Sequence, residues 1–290
     1  MRPVARPLRR RPLTRLGRLA AASVAAVLTV LVAAPLRADE SSFLFPRFSL
    51  TGGSFFETTE TKVRVDADVT GIPGDLVDFE SELGLDDSEA VLRFGLDWRP
   101  LARHQFSLGY HSLSRDGTET LTRDIQFGDT LFPISADVTG SFDLEFLEFA
   151  YTLWAMRRET AGLGVSIGAT AISAEAGLVV ESDLGGGVLR EEADTDLPVG
   201  MVGAELRLAP ARRLLLAATV RALPSVQIED VDGSALSYGA RAEVQIVRNV
   251  GLGLAWNSFE LDLEVEDGDD LTGTLDFTSE GGEVYLRLLF

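Results

Sequence analysis

Residues 89–99 read EAVLRFGLDWR. Ala90, Leu92, Phe94, Leu96 and Trp98 alternate with Glu89, Val91, Arg93, Gly95, Asp97 and Arg99. A period of two puts the first set on one face of a strand and the second on the other. One face is apolar and ends in an aromatic ring. The other carries two acids and two arginines, which no ordinary protein core would accept unpaired.

The same alternation recurs along the chain. Phe106, Leu108 and Tyr110 oppose Gln105, Ser107 and Gly109. Leu206 and Leu208 oppose Glu205 and Arg207, and Leu214, Leu216, Ala218 and Val220 oppose Leu215, Thr219 and Arg221. Leu236 through Ile246 oppose a face holding Arg241 and Glu243, and Val250 through Trp256 oppose Gly251 and Gly253. The segments 45–56 and 142–156 are apolar on both faces in places, which leaves their register open. With 161–173 and the final 281–290, the strands predicted are 45–56, 88–99, 104–114, 142–156, 161–173, 197–209, 213–223, 235–247, 249–259 and 281–290. That is ten strands, with eight or twelve as the alternatives.

The connections alternate. Short ones fall near 100–103, 157–160, 210–212 and 248, and long ones near 57–87, 115–141, 174–196, 224–234 and 260–280. A soluble sandwich gives no reason for this rhythm. A transmembrane antiparallel up-and-down β-barrel does, with tight turns on one side of the membrane and long loops on the other. The fold expected is therefore all-β, with apolar residues facing lipid and polar ones facing the lumen; a soluble periplasmic β protein would show the reverse. Trp98, Phe106, Tyr110, Tyr238, Trp256 and Phe290 fall near strand ends, where amphipathic rings suit the water–lipid boundary.

Residues 1–38 carry eight arginines and no acid, with an apolar run LAAASVAAVLTVLVAA at 19–34. Basic, apolar, then small is the order of a secretory signal, and the run falls short of the roughly 20 residues of a spanning helix. Cleavage is expected after Ala38, leaving 39–290 as the barrel. The residues after Ala38 keep 18 of the 26 basic side chains and all 45 acidic ones, a formal charge of −27. Such a balance speaks against nucleic acid as a partner. The chain has no cysteine, which removes disulfides, thiolate metal sites and thiol nucleophiles.

The alternation assigns Glu89, Arg93, Asp97, Arg99, Glu205, Arg207, Arg221, Arg241, Glu243, Glu283 and Arg287 to a charged lumen. Glu205 with Arg207, Arg241 with Glu243 and Glu283 with Arg287 are expected as neighbouring pairs. Ten strands enclose little space, so these groups either form an ion-pair network that stiffens the barrel or line a narrow wet pathway. Residues 57–87 hold ten acids against Lys62 and Arg64, and 260–280 hold nine acids and no base. Thr59, Thr61, Val63 and Val65, and Phe259, Leu261, Leu263 and Val265, keep strand alternation, so hairpins should project beyond the bilayer. Divalent cations shared with lipopolysaccharide phosphates would suit the surplus carboxylates. Asp230, Asp232 and Gly233 do not complete a calcium loop.

Catalysis is not expected, and neither is a cofactor. Surface hydrolysis of lipid A or peptides needs convergent acid–base groups. His104 adjoins a tight turn, while His111, Ser112, Ser114 and Asp116 follow one another along the chain rather than converging. The end of the chain, with Val284, Leu286, Leu288 and a terminal Phe290, resembles the signature by which bacterial outer-membrane barrels are recognised by the assembly machinery. LGLDDS at 83–88, DWRPLARH at 97–104, SRDG at 114–117 and RDIQFGD at 123–129 resemble a group of uncharacterised proteobacterial outer-membrane barrel proteins. That resemblance implies the architecture and an outer-membrane address, and it transfers no site residue. The function expected is a non-enzymatic outer-membrane barrel, either a small passive channel or a structural barrel with acidic hairpins, with a surface adhesin or binding barrel as the alternative and a lipid A or peptide hydrolase behind it.

Overall fold

The structure is a computed structural model that describes residues 43–67, 73–180, 189–228, 231–265 and 273–290. The expected export signal at 1–38 lies outside the described residues.

In chain order the elements are β1 (Phe48–Val65), the two-residue β2 (Val77–Asp78), helix α1 (Phe79–Leu83), β3 (Ser88–Leu101), β4 (His104–Thr120), β5 (Ile125–Phe127), β6 (Thr130–Phe132) and β7 (Asp137–Arg157). They continue with β8 (Ala161–Val180), β9 (Leu189–Ala211), β10 (Leu214–Ile228), β11 (Val231–Val247), β12 (Val250–Val265) and β13 (Gly273–Leu289). The ten long strands pair antiparallel with their chain neighbours, and β13 returns to β1 from Ser49↔Leu289 to Val65↔Gly273. The sheet therefore closes on itself, which satisfies the strand edges internally over the lower half of the barrel. Backbone bonds between Phe48 and Phe290 run in both directions and fasten the two chain ends of the barrel.

The strands outrun their sequence-based bounds at the end of the long loops. β1 reaches Val65, β4 reaches Thr120 and β13 begins at Gly273, so much of the expected loops is sheet. β1 also starts at Phe48 rather than 45, because 43–46 leave the wall and turn into the barrel mouth.

The reason lies in a reversal of side-chain polarity part-way up the barrel. In the lower half Leu92, Phe94, Trp98, Ile167, Leu254 and Leu286 are exposed on the outside, while Arg93, Asp97, Arg207 and Arg287 point inward. Above Phe56 the strands keep their alternation but exchange chemistry. Val63, Leu261, Leu263, Leu275 and Phe277 turn inward and are buried, whereas Glu60, Asp262 and Glu264 face out. The expectation of polar residues inside along the whole strand is thus corrected for the upper half. A sheet with apolar residues outside suits hydrocarbon, and one with apolar residues inside suits water. The lower half is built for lipid and the upper half for solvent.

The upper core is completed by the two longest connections. β3 stops pairing with β1 at Ser88↔Thr58, which leaves seven residues of β1 without that neighbour. β2 fills part of the gap through Lys62↔Asp78 and Val63↔Val77. α1 is a single turn, far too short to stand alone. It is held because Phe79 and Leu83, four apart on one face, are both buried. Asp78 caps its first turn by accepting from the Ser81 N–H at 2.9 Å, and Gly84 ends it at a φ of 68°. The β5–β6 hairpin adds Ile125, Phe127 and Phe132, all fully buried against the same core.

Candidate functional site

The lumen of the lower half holds the charged side chains in three tiers. The lowest is a clamp on the N-terminal segment. Phe43, Leu44 and Phe45 are buried against Trp154, Leu215 and Leu289, with the Phe45 and Trp154 rings edge to face at 5.0 Å. Arg99 donates to the Phe45 and Pro46 carbonyls, and Arg207 donates to the Leu44 carbonyl at 3.2 Å while stacking 4.4 Å from the Trp154 ring. Arg99 therefore sits outside the expected lumen ion-pair set and binds backbone instead. The segment stoppers the end of the barrel where the tight turns lie.

The middle tier is an ion-pair network. Glu205 accepts from Arg207 at 2.7 Å and from Arg241 at 2.9 Å. Glu243 faces Arg287 at 3.4 Å and accepts from the Tyr285 hydroxyl at 3.2 Å. Asp97 accepts from Ser49, Gln105 and Ser107 and lies 3.8 Å from Arg287. Arg207 and Arg287 are about 1% exposed, and a guanidinium so deeply buried is tolerable only when paired and hydrogen-bonded. Glu205 and Arg207 pair within β9 as the sequence suggests, while the other two pairs cross strands: Arg241 goes to Glu205, and Glu243 goes to Arg287. Glu283 accepts from Asn257 at 3.4 Å and has no ion pair among the described residues.

The upper tier borders a cavity of about 280 Å³ roofed by Phe55, Phe146, Phe259 and Phe277. Arg221 pairs with Glu148 at 3.0 Å, a partner the sequence did not single out. Arg93 lies with its guanidinium carbon 3.6 Å from the centre of the Phe55 ring, a cation–π contact. Glu89 stands directly across from Glu57, whose carboxylate accepts from Ser279. Above this roof the apolar core, with Phe79, Phe127, Phe142 and Phe277 in successive ring contacts, closes the other end of the barrel.

The two histidines do not meet. His104 shares a 2.6 Å hydrogen bond with the Tyr151 hydroxyl. His111 is buried in the lumen with its ring stacked 4.5 Å from Phe146, while Ser112 and Ser114 lie on the exposed outer face. Asp86 and Asp87 use their backbone carbonyls, toward Arg115 and the Thr59 N–H. Among the described residues no group of three or more acids and histidines is placed to hold a metal ion. Asp232 is exposed on the outer face, and Asp230 lies outside the described residues. Val284, Leu286 and Leu288 are exposed on the outside of β13.

No protein-family model and no curated protein sequence matches the chain. Among solved structures it is similar to the outer-membrane protease OmpT of Escherichia coli, with a TM-score of 0.54 and 12% identity over 84% of this chain and 96% of that one. Weaker likenesses include the toluene transporter TodX of Pseudomonas putida, with a TM-score of 0.35 and 9% identity over 90% of this chain and 93% of that one. The attachment protein Ail of Yersinia pestis gives a TM-score of 0.32 and 10% identity over 82% of this chain and 97% of that one. At these identities the likeness is one of fold: the chain is a closed, ten-stranded antiparallel barrel of the outer-membrane type.

Proposed function

We propose that the chain is a non-enzymatic integral outer-membrane barrel, sealed at rest, that holds a rigid set of acidic hairpins above the bilayer. The observation that carries this reading is the pair of stoppers. Phe43–Phe45 fill one mouth, and the apolar core around Phe79, Phe127 and Phe142 fills the other. Between them Glu205, Arg207, Arg241, Glu243 and Arg287 are held in ion pairs instead of lining an open path. Of the two forms expected from sequence, the structural barrel is favoured over the passive channel.

The outer face of the upper half supplies the working surface. Glu60, Asp143, Glu145, Asp194, Asp196, Asp262, Glu264 and Asp276 stand on it, fixed by strands rather than carried on loose loops. Divalent cations shared with lipopolysaccharide phosphates are the partners this chemistry fits. The exposed C-terminal face of β13 would meet the assembly machinery during insertion. The separation of His111 from Ser112 and Ser114 supports the non-enzymatic reading. Purified protein in planar bilayers is the test. Wild type should be silent across salt and voltage, and reproducible conductance steps would reject the sealed form. His111→Ala should leave lipid A and peptide-cleavage profiles unchanged; a change in either would reject the non-enzymatic form.

A further inference from the structure

The four tight turns have a composition unlike the rest of the mature chain. Arg103 sits between β3 and β4, Arg158 between β7 and β8, Arg212 and Arg213 between β9 and β10, and Arg248 between β11 and β12. Every turn on that end of the barrel presents at least one arginine, and all five side chains are exposed. None is ion-paired among the described residues, and Glu159 is the one acid within the turns. Elsewhere among the described residues the exposed charged side chains are mostly carboxylates, so this ring runs against the charge of the whole chain.

The ring also has a fixed height. Arg103 lies between the exposed Leu101 and the outward Phe106, and Arg248 follows the exposed Ile246 and Val247. Arg212 and Arg213 lie between the exposed Leu208 and Leu216, and Arg158 lies between Leu153 and Leu163. Each guanidinium therefore stands a few residues beyond lipid-facing apolar side chains, at the depth of headgroup phosphates. Arginine is suited to that position, because its apolar stem stays with the acyl chains while its planar fork takes phosphate oxygens in two parallel bonds. A ring serving an anionic solute would surround an opening, but here Phe43–Phe45 close the mouth.

We infer that this ring is a binding surface for anionic phospholipid headgroups of the periplasmic leaflet, gathering such lipids around the barrel by their phosphates. The inference rests on the outer-membrane placement proposed above. The test uses the full mature barrel reconstituted in bilayers, with spin-labelled phosphatidylglycerol and phosphatidylcholine as probes. Wild type should prefer the anionic lipid about five-fold, the ratio expected of a single arginine near a charged leaflet, and the preference should shrink as salt is raised. The variant R103Q/R158Q/R212Q/R213Q/R248Q should bring the ratio close to one, with R212Q/R213Q intermediate should the full set fold poorly. A wild-type ratio near one, or a ratio unmoved by either variant, overturns the inference. So does retention of wild type on isolated peptidoglycan without any lipid preference, which would assign the ring to that polymer. Heat-modifiable migration on a gel, read beside each sample, reports separately whether the barrel itself formed.

Discussion

Arg115 of β4 and Glu80 of α1 form an ion pair inside the upper barrel, and the Arg115 side chain is about 1% exposed. The same guanidinium donates to the hydroxyls of Thr59 and Thr61 and to the Asp86 carbonyl, while Glu80 also accepts the Thr61 N–H at 2.8 Å. One buried cation thus ties α1 to the exposed edge of β1. Arg123, bonded to Glu82 and close to Asp75, makes a second tie nearer the surface.

Arg115→Met should release segment 73–87 while leaving the barrel folded. Removing one partner of a buried pair costs about 3–5 kcal/mol, because Glu80 would remain buried without its counter-charge. Limited proteolysis of the folded protein should show new cleavage within 73–87 and unchanged heat-modifiable migration. Gly117→Ala should act on the same contact, since a Cβ there would lie 2.4 Å from the Gly84 carbonyl oxygen.

Glu205 anchors two guanidiniums, so Glu205→Gln should lower stability more than loss of either arginine alone. The expected loss is about 3–5 kcal/mol in urea unfolding from vesicles. The double variant Glu205→Gln/Arg241→Met should recover part of it, because one stranded charge is then gone. A loss in the double variant equal to the sum of the two single losses would mean that Glu205 and Arg241 are uncoupled.

Opening both stoppers together should convert a silent barrel into a conducting one, whereas opening either alone should not. Phe45→Ala removes the edge contact with Trp154 and a large part of the apolar seal, a change worth about 3–5 kcal/mol. Planar-bilayer recordings should show brief openings when Phe45→Ala is combined with Phe79→Ala, and none in wild type or in Phe45→Ala alone.

Asp276 faces Asp262 directly across β12 and β13 above the lipid-facing belt. Partial burial and then Asp262 hold its carboxyl above the usual aspartate range, against the pull of Lys62 and Arg64. A carboxylate with a raised folded pKa destabilises once it ionises, so the penalty is present at neutral pH and fades as pH falls through that raised value. Asp276→Asn should therefore be the more stable protein at neutral pH, with the difference vanishing as pH drops toward the ordinary value of 3.8. Thermal melts across that range would show it.

The strand count was legible because alternation survives in most membrane-facing segments and tight connections alternate with long ones. The projecting hairpins were legible because Thr59, Thr61, Val63 and Val65 keep strand alternation; the exchange of polarity was not, because Val63 and Val65 sit on the face opposite Phe56 and only the closed barrel shows which face is inside. Phe45 reads as the beginning of a strand, since nothing in its sequence separates plug from wall. The lumen charges could be assigned to one face of each strand. Their partners could not be named, because Arg241 and Glu205 stand 36 residues apart, and Glu148 lies on a strand apolar on both faces. Side-chain pairing in a barrel is set by inter-strand register, which one strand's sequence does not contain.

The reversal of polarity along β1 is the central claim, and the absence of cysteine makes it directly measurable. Single cysteines placed from Leu50 to Val65 in the reconstituted barrel can be probed with a membrane-impermeant maleimide and a lipid-dissolved quencher. Positions 50, 52, 54 and 56 should answer to the lipid probe, and 58, 60, 62 and 64 to the aqueous reagent. Positions 59, 61, 63 and 65 should be protected from both. Lipid contact continuing on the even positions as far as 64, or free aqueous labelling at 63 and 65, would contradict the account.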